Sequence, residues 1–139
     1  MKNNTNVQLA LEGAGRHTLI EYMYRDASNY KQTNVVLLDG RLTEAQIEKI
    51  LASLDDKQFF IPGQVGLQDL QGEFEHGAGW HEQDDHVWHE LQTIEYRDGR
   101  PNGLKAEDVA TAWPTSAEGW NVAEHQARLS GSAPLTPGC

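Results

Sequence analysis

The chain has 139 residues, with 21 Asp and Glu against 11 Lys and Arg, for a formal net charge of −10. That length predicts one domain that folds without disulfides or a structural metal, and the acidity excludes direct nucleic-acid binding through a phosphate-neutralising face. The lone cysteine, Cys139, rules out an intramolecular disulfide framework and favours a cytoplasmic setting, while the lack of any apolar run near the ~18 residues of a span argues against a membrane segment.

Residues 1–16 read as a flexible N-terminal segment, 17–129 as a single α+β domain, and 130–139 as a disordered tail rich in Gly, Ser and Pro. His17 to Tyr24 alternates β-branched and aromatic residues and predicts a first strand, with Thr18, Ile20, Tyr22 and Tyr24 on one side. After the turn formers of Arg25 to Tyr30, Thr33 to Leu38 predicts a second strand that stops at Asp39-Gly40 and pairs antiparallel with the first. Thr43 and Gln46 form a capping-box pattern, and Ile47, Ile50, Leu51 and Leu54 recur at helical spacing, so a helix over Thr43 to Leu54 should cover the sheet, packing on Ile20, Tyr22, Val35 or Leu37. Phe59 to Ile61 is strand-like and Pro62-Gly63 ends it, after which Val65, Leu67, Leu70 and Phe74 anchor a long packed loop.

His86 to Tyr96 predicts a third strand, with Val87, His89, Leu91 and Thr93 opposite Trp88, Glu90, Gln92, Ile94 and Tyr96. Ala106 to Trp113 fits a short helix stopped by Pro114, and Thr115 with Glu118 suggests a capping box opening a further helix to about Leu129. The sum is an α+β fold: an antiparallel sheet of three to four strands, one main helix on a face, and short C-terminal helices. Unpaired sheet edges and aromatic surface on Trp80, Trp88 and Tyr96 make a homodimer an expectation as well.

Chemistry concentrates between Gln58 and Tyr96, where eight carboxylates and four of the six histidines occur with no lysine or arginine. The candidate binding patch is Trp80, His81, Asp84, Asp85, His86, Trp88, His89 and Glu90. Its spacing matches no standard metalloenzyme motif, so no cofactor is expected; His81, His86 and Asp84 are the alternative metal ligands. Placed on one strand, His86 and His89 would face opposite sides and share no ion. The surrounding carboxylates should stabilise the charged forms of these histidines. Trp88 and Trp113 suit the core, and Trp80 suits a contact with a ligand or partner.

Three segments, Tyr24-Arg25-Asp26-Ala27-Ser28-Asn29-Tyr30-Lys31, Phe59-Phe60-Ile61-Pro62-Gly63-Gln64-Val65-Gly66 and Asp84-Asp85-His86-Val87-Trp88-His89-Glu90-Leu91, together resemble a family of short uncharacterised bacterial proteins. The resemblance covers about residues 17–113 and bears on the fold without bringing an activity, ligand or catalytic residue. The tail is similar to the Gly/Ser/Pro extensions of proteins encoded in integron gene cassettes, which implies accessory cargo of a mobile element. The leading functional expectation is a small acidic binding or interaction module, with a protein or small molecule as partner. The alternatives are a metal-dependent or His/carboxylate hydrolase using residues 81–90, and an inhibitor of a defence system that mimics nucleic acid by its acidity.

Overall fold

The computed structural model describes residues 3–71, 80 and 85–130. Its centre is the strand β2, His17–Arg25, whose even-numbered side chains Thr18, Ile20, Tyr22 and Tyr24 are all fully buried. Antiparallel to it runs β3, Lys31–Leu38, in a register that sets Ile20 beside Val36 and Thr18 beside Leu38. Val36 and Leu38 therefore enter the core. Val35 pairs with Glu21 on the opposite face and is 48% exposed, which corrects the expectation that Val35 and Leu37 meet the helix.

On the other side of β2 lies β5, His89–Arg97, also antiparallel. The remaining edge of β5 takes two short partners: β4, Phe59–Phe60, antiparallel, and β1, Gln8–Ala10, parallel. The sheet is thus five-stranded and mixed, where three to four antiparallel strands were expected. The extra strand comes from the N-terminal segment, whose Val7 is buried in the core beside it.

The first helix, α1, spans Glu44–Ser53 and starts as its sequence dictates: Thr43 accepts from the Gln46 amide, and the Gln46 side chain accepts from the Thr43 amide at 2.8 Å. Two orphan donors are satisfied together, which stabilises the first turn. Its stripe of Ile47, Ile50, Leu51 and Leu54 is buried in the same cluster as Ile20, Tyr22, Val36 and Leu38. The second helix, α2, Ala106–Ala112, ends where Trp113 enters the core and stacks on Phe60 with ring centroids 5.0 Å apart. Trp120 meets Trp113 edge-on and donates from Nε1 to the Ser53 carbonyl at 2.8 Å, tying the C-terminal segment to the end of α1.

Thr115 and Glu118 do not open the last helix. A single 3₁₀ turn, Ala117–Gly119, intervenes, and α3 runs Val122–Ser130 with the Asn121 side chain accepting from the Glu124 amide. The residues after Ser130, to which the disordered-tail expectation refers, lie outside the described residues. Among the described residues, no helix is long and apolar enough to cross a membrane.

Candidate functional site

Where β2 ends and β4 and β5 begin, the chain encloses a cleft of about 500 Å³ lined by Arg25, Asp26, Asp55, Asp56, Phe59, His86, Trp88 and Glu90. The topology explains the convergence. Met23 and Phe59 both pair with Glu90 from its two sides, so the residue after β2, the start of β4 and the start of β5 share one end of the sheet. Asp55 and Asp56 reach the same place from the α1–β4 connection, where Asp56 and Lys57 adopt φ of 48° and 63° to reverse the chain. Two successive non-glycine residues in the left-handed region carry a conformational cost that is tolerated when the surroundings fix the turn. Here the Asp55 amide donates to the Phe59 carbonyl at 2.9 Å, and the Asn6 amide donates to the Lys57 carbonyl at 3.1 Å.

Polar groups at the cleft are largely committed to one another. Arg25 Nε donates to Glu90 Oε2 at 3.1 Å and its Nη1 to Asn29 Oδ1 at 2.7 Å, while Gln58 Nε2 donates to the other Glu90 oxygen at 3.3 Å. Asp26 is only 5% exposed, and its Oδ1 accepts from the Tyr30 amide at 2.9 Å. His86 Nδ1 accepts from the Trp88 amide at 3.1 Å, so Nε2 carries the proton that goes to the Arg25 carbonyl at 2.7 Å. Both imidazole nitrogens are thereby occupied by backbone groups. Four carboxylates against one guanidinium give the described lining residues a formal charge of −3, histidine not counted.

Behind the cleft wall lies Tyr24, with its hydroxyl donating to Asp85 Oδ1 at 2.7 Å and accepting from the His86 amide at 3.2 Å. Burial, reinforced by the hydroxyl's bond to Asp85, raises the Tyr24 pKa and keeps it a neutral donor. Its ring lies 5.1 Å from that of His86 and 5.0 Å from that of His89, centroid to centroid. Burial also raises the Tyr22 pKa, against the opposing pull of the Asn34 side chain; its hydroxyl donates to the Gln68 carbonyl at 2.6 Å.

His89 corrects three expectations. It is fully buried beside Tyr22, Tyr24 and Phe60, so it belongs to the core and not to an exposed patch. Its Nε2 accepts from the Leu70 amide at 3.0 Å, leaving Nδ1–H to donate to the Val87 carbonyl at 3.1 Å. Desolvation lowers its pKa to about 4, the reverse of the stabilised charge expected from the neighbouring carboxylates. Moreover, β5 starts at His89, leaving His86 outside the strand, so the two rings flank Tyr24 and do not point to opposite faces of one strand.

Of the other patch residues, Trp88, placed in the core by its sequence setting, is half-buried on the cleft, and Glu90 lines it; Asp85 is half-buried against Tyr24 and Trp80 is half-buried. His81 and Asp84 lie outside the described residues, as does any joint site of theirs with His86. Among the described residues, no group of three His, Cys, Asp or Glu side chains could hold a metal ion. A second buried histidine, His125 on α3, was not singled out by sequence: its Nε2 lies 3.0 and 3.1 Å from the two Asp69 oxygens, and Asp69 Oδ1 also accepts from the Gly63 amide.

Arg25, Asp26, Asp55, Asp56 and Phe59 were likewise absent from the patch as read from the sequence. Arg25, Asp26 and Phe59 stand in two of the three segments singled out by sequence, 24–31, 59–66 and 84–91, which together supply six of the eight described lining residues. For Asp55 and Asp56 the only trace was a charged pair between a helix and a strand. Compared with family models, curated proteins and solved structures, the chain matches none.

Proposed function

We propose that the protein is a small acidic binding module and that its ligand, a small molecule or a side chain offered by a protein partner, occupies the cleft walled by Phe59 and Trp88. One observation carries this reading: three segments far apart in sequence meet around a cavity of about 500 Å³ with aromatic and carboxylate lining. Ligand sites are typically concavities of roughly 300–1,000 Å³ that combine apolar surface with a few placed polar groups. A hydrolase centred on the histidine cluster gains no support from His86 and His89, whose ring nitrogens already serve backbone groups.

The test is ligand-observed NMR with a set of small cationic, neutral and anionic compounds, run on the wild type and on Trp88→Leu. Compounds that bind the first and not the second are expected. If every compound that binds does so equally to Trp88→Leu, the cleft is not the site.

A homodimer belongs to the same proposal. β3 lies at the edge of the sheet, and among the described residues Asn102 covers it at Leu37, its side chain accepting from the Leu37 amide at 3.0 Å and its amide donating to the Leu37 carbonyl at 2.9 Å. The exposed Val35 lies on the uncovered part. Light scattering that returns a monomer mass at all concentrations would remove this element and leave the cleft untouched. A cytoplasmic role as accessory cargo of a mobile element completes the proposal, resting on cysteine usage and tail composition.

A further inference from the structure

We infer that the cleft takes an organic cation, an ammonium or guanidinium group on an apolar stem, held between the Asp26, Asp55 and Asp56 carboxylates and the Phe59 and Trp88 rings; this rests on the cleft being the binding site. The charge argument comes first. Arg25 is spent on Glu90 and Asn29, so the residues left to meet a ligand are carboxylates without a counter-ion in the lining. Asp26 is the most telling of them. It is nine-tenths buried and lines the cavity, its Oδ1 is used by the Tyr30 amide, and its Oδ2 receives no hydrogen bond among the described residues. Among the described residues Asp26 Oδ2 is not one of the buried atoms left without a partner, so this oxygen reaches solvent and is open to a charged donor that enters the cavity.

The second argument separates an organic cation from a metal ion. A divalent ion needs its oxygen ligands gathered within about 2–2.6 Å of one point. Among the described residues, these carboxylates form no such group. Charge spread around a cavity of about 500 Å³ suits instead a cation with a body of its own. Phe59 and Trp88 supply the remaining element, since aromatic faces attract cations and cover an alkyl stem.

Calorimetric titration of the full chain with 1,5-diaminopentane, with pentane-1,5-diol and with a short lysine-containing peptide and its acetyl-lysine counterpart tests this. The diamine is expected to bind and the diol not to bind, and binding should weaken as salt rises from about 50 to 300 mM. Preference between diamine and peptide identifies a free amine or a protein side chain as the source of the group. Asp26→Asn keeps the acceptor for the Tyr30 amide and removes only the charge; Asp55→Asn/Asp56→Asn does the same on the neighbouring turn. Each should weaken diamine binding by about tenfold or more. Should Asp26→Asn fail to fold, the double variant carries the comparison.

Equal binding of diol and diamine, unchanged affinity in the variants, or calcium chloride bound tightly at these carboxylates while the diamine is ignored would each overturn the inference. Neutral or anionic compounds that bind in a Trp88-dependent way while amines do not would overturn it and leave the binding-module reading standing. If no class of compound binds at the cleft, both fall.

Discussion

Arg25 Nε donates to Glu90 Oε2 at 3.1 Å, joining the end of β2 to the start of β5 and neutralising the guanidinium that lines the cleft. The Arg25 side chain is 41% exposed, so solvent screens the pair and its direct contribution to stability is small. A double-mutant cycle with Arg25→Gln and Glu90→Gln should give a coupling of about 0.5–1 kcal/mol that shrinks in high salt. A larger coupling, unaffected by salt, would mean that the pair is sealed from water and that the cleft is not open at this wall.

Tyr24 serves Asp85 and His86 through one hydroxyl, and removing it leaves both without that partner. Tyr24→Phe should destabilise the fold by about 1–3 kcal/mol in urea denaturation while leaving the core volume intact. It should also broaden or shift the amide resonances of residues 85–88. Unchanged stability and spectra would show that the 85–88 segment is held by other contacts.

His89 predicts a pH dependence with a definite sign. Its folded pKa, about 4, lies below the ordinary value of 6.5, so the fold favours the neutral ring. The resulting stability is fully present above pH 6.5 and is lost as pH falls through about 4. The stability difference between wild type and His89→Gln should therefore narrow by about 3 kcal/mol between pH 7 and pH 4. A difference that stays constant or widens on acidification would require a charged His89 in the folded protein.

Gly63 is confined by the Asp69–His125 pair. A methyl group there would run into Asp69 Oδ2 and approach the His125 ring carbon Cε1 at 2.5 Å. Gly63→Ala should cost about 1–3 kcal/mol, and less in a His125→Ala background, where the ring no longer blocks the methyl. Additive costs would mean that the glycine is needed for something other than this close approach.

The parts of the fold that were legible are those in which local chemistry and tertiary packing agree. Thr43, Gln46 and the Ile47, Ile50, Leu51, Leu54 stripe define α1 without reference to anything distant, and the alternation of His17 to Tyr24 marks the central strand. The β5 alternation misled because Gln92 is an extra residue: Tyr22 pairs with Leu91 and Glu21 with Thr93, so the buried series His89, Leu91 changes phase before Ile94. A one-residue bulge shifts the phase of the pattern, so strict alternation assigns the residues beyond it to the wrong faces. β1 and β4 were too short to carry a period, and β4 was only suggested by its two phenylalanines.

The candidate site was half legible for a related reason. His86, Trp88 and Glu90 stood out because they are adjacent in a dense run, but His89 in the same run is core, and only its three-dimensional neighbours reveal that. Asp26, Asp55 and Asp56 are ordinary turn residues until the sheet brings them together. A charge that matters through its tertiary surroundings has no local signature.

The most direct test of the cleft as the binding site is a titration that follows the tryptophan indole N–H resonances with the ligands found to bind. Trp88 lines the cleft, whereas Trp113 and Trp120 are buried in the core against Phe60. Binding at the proposed site should move the Trp88 indole and the backbone amides of residues 25, 26, 55 and 56 in a saturable way, with the Trp113 and Trp120 indoles unmoved. Saturable binding that leaves Trp88 and those amides unmoved would contradict the assignment of function to this cleft.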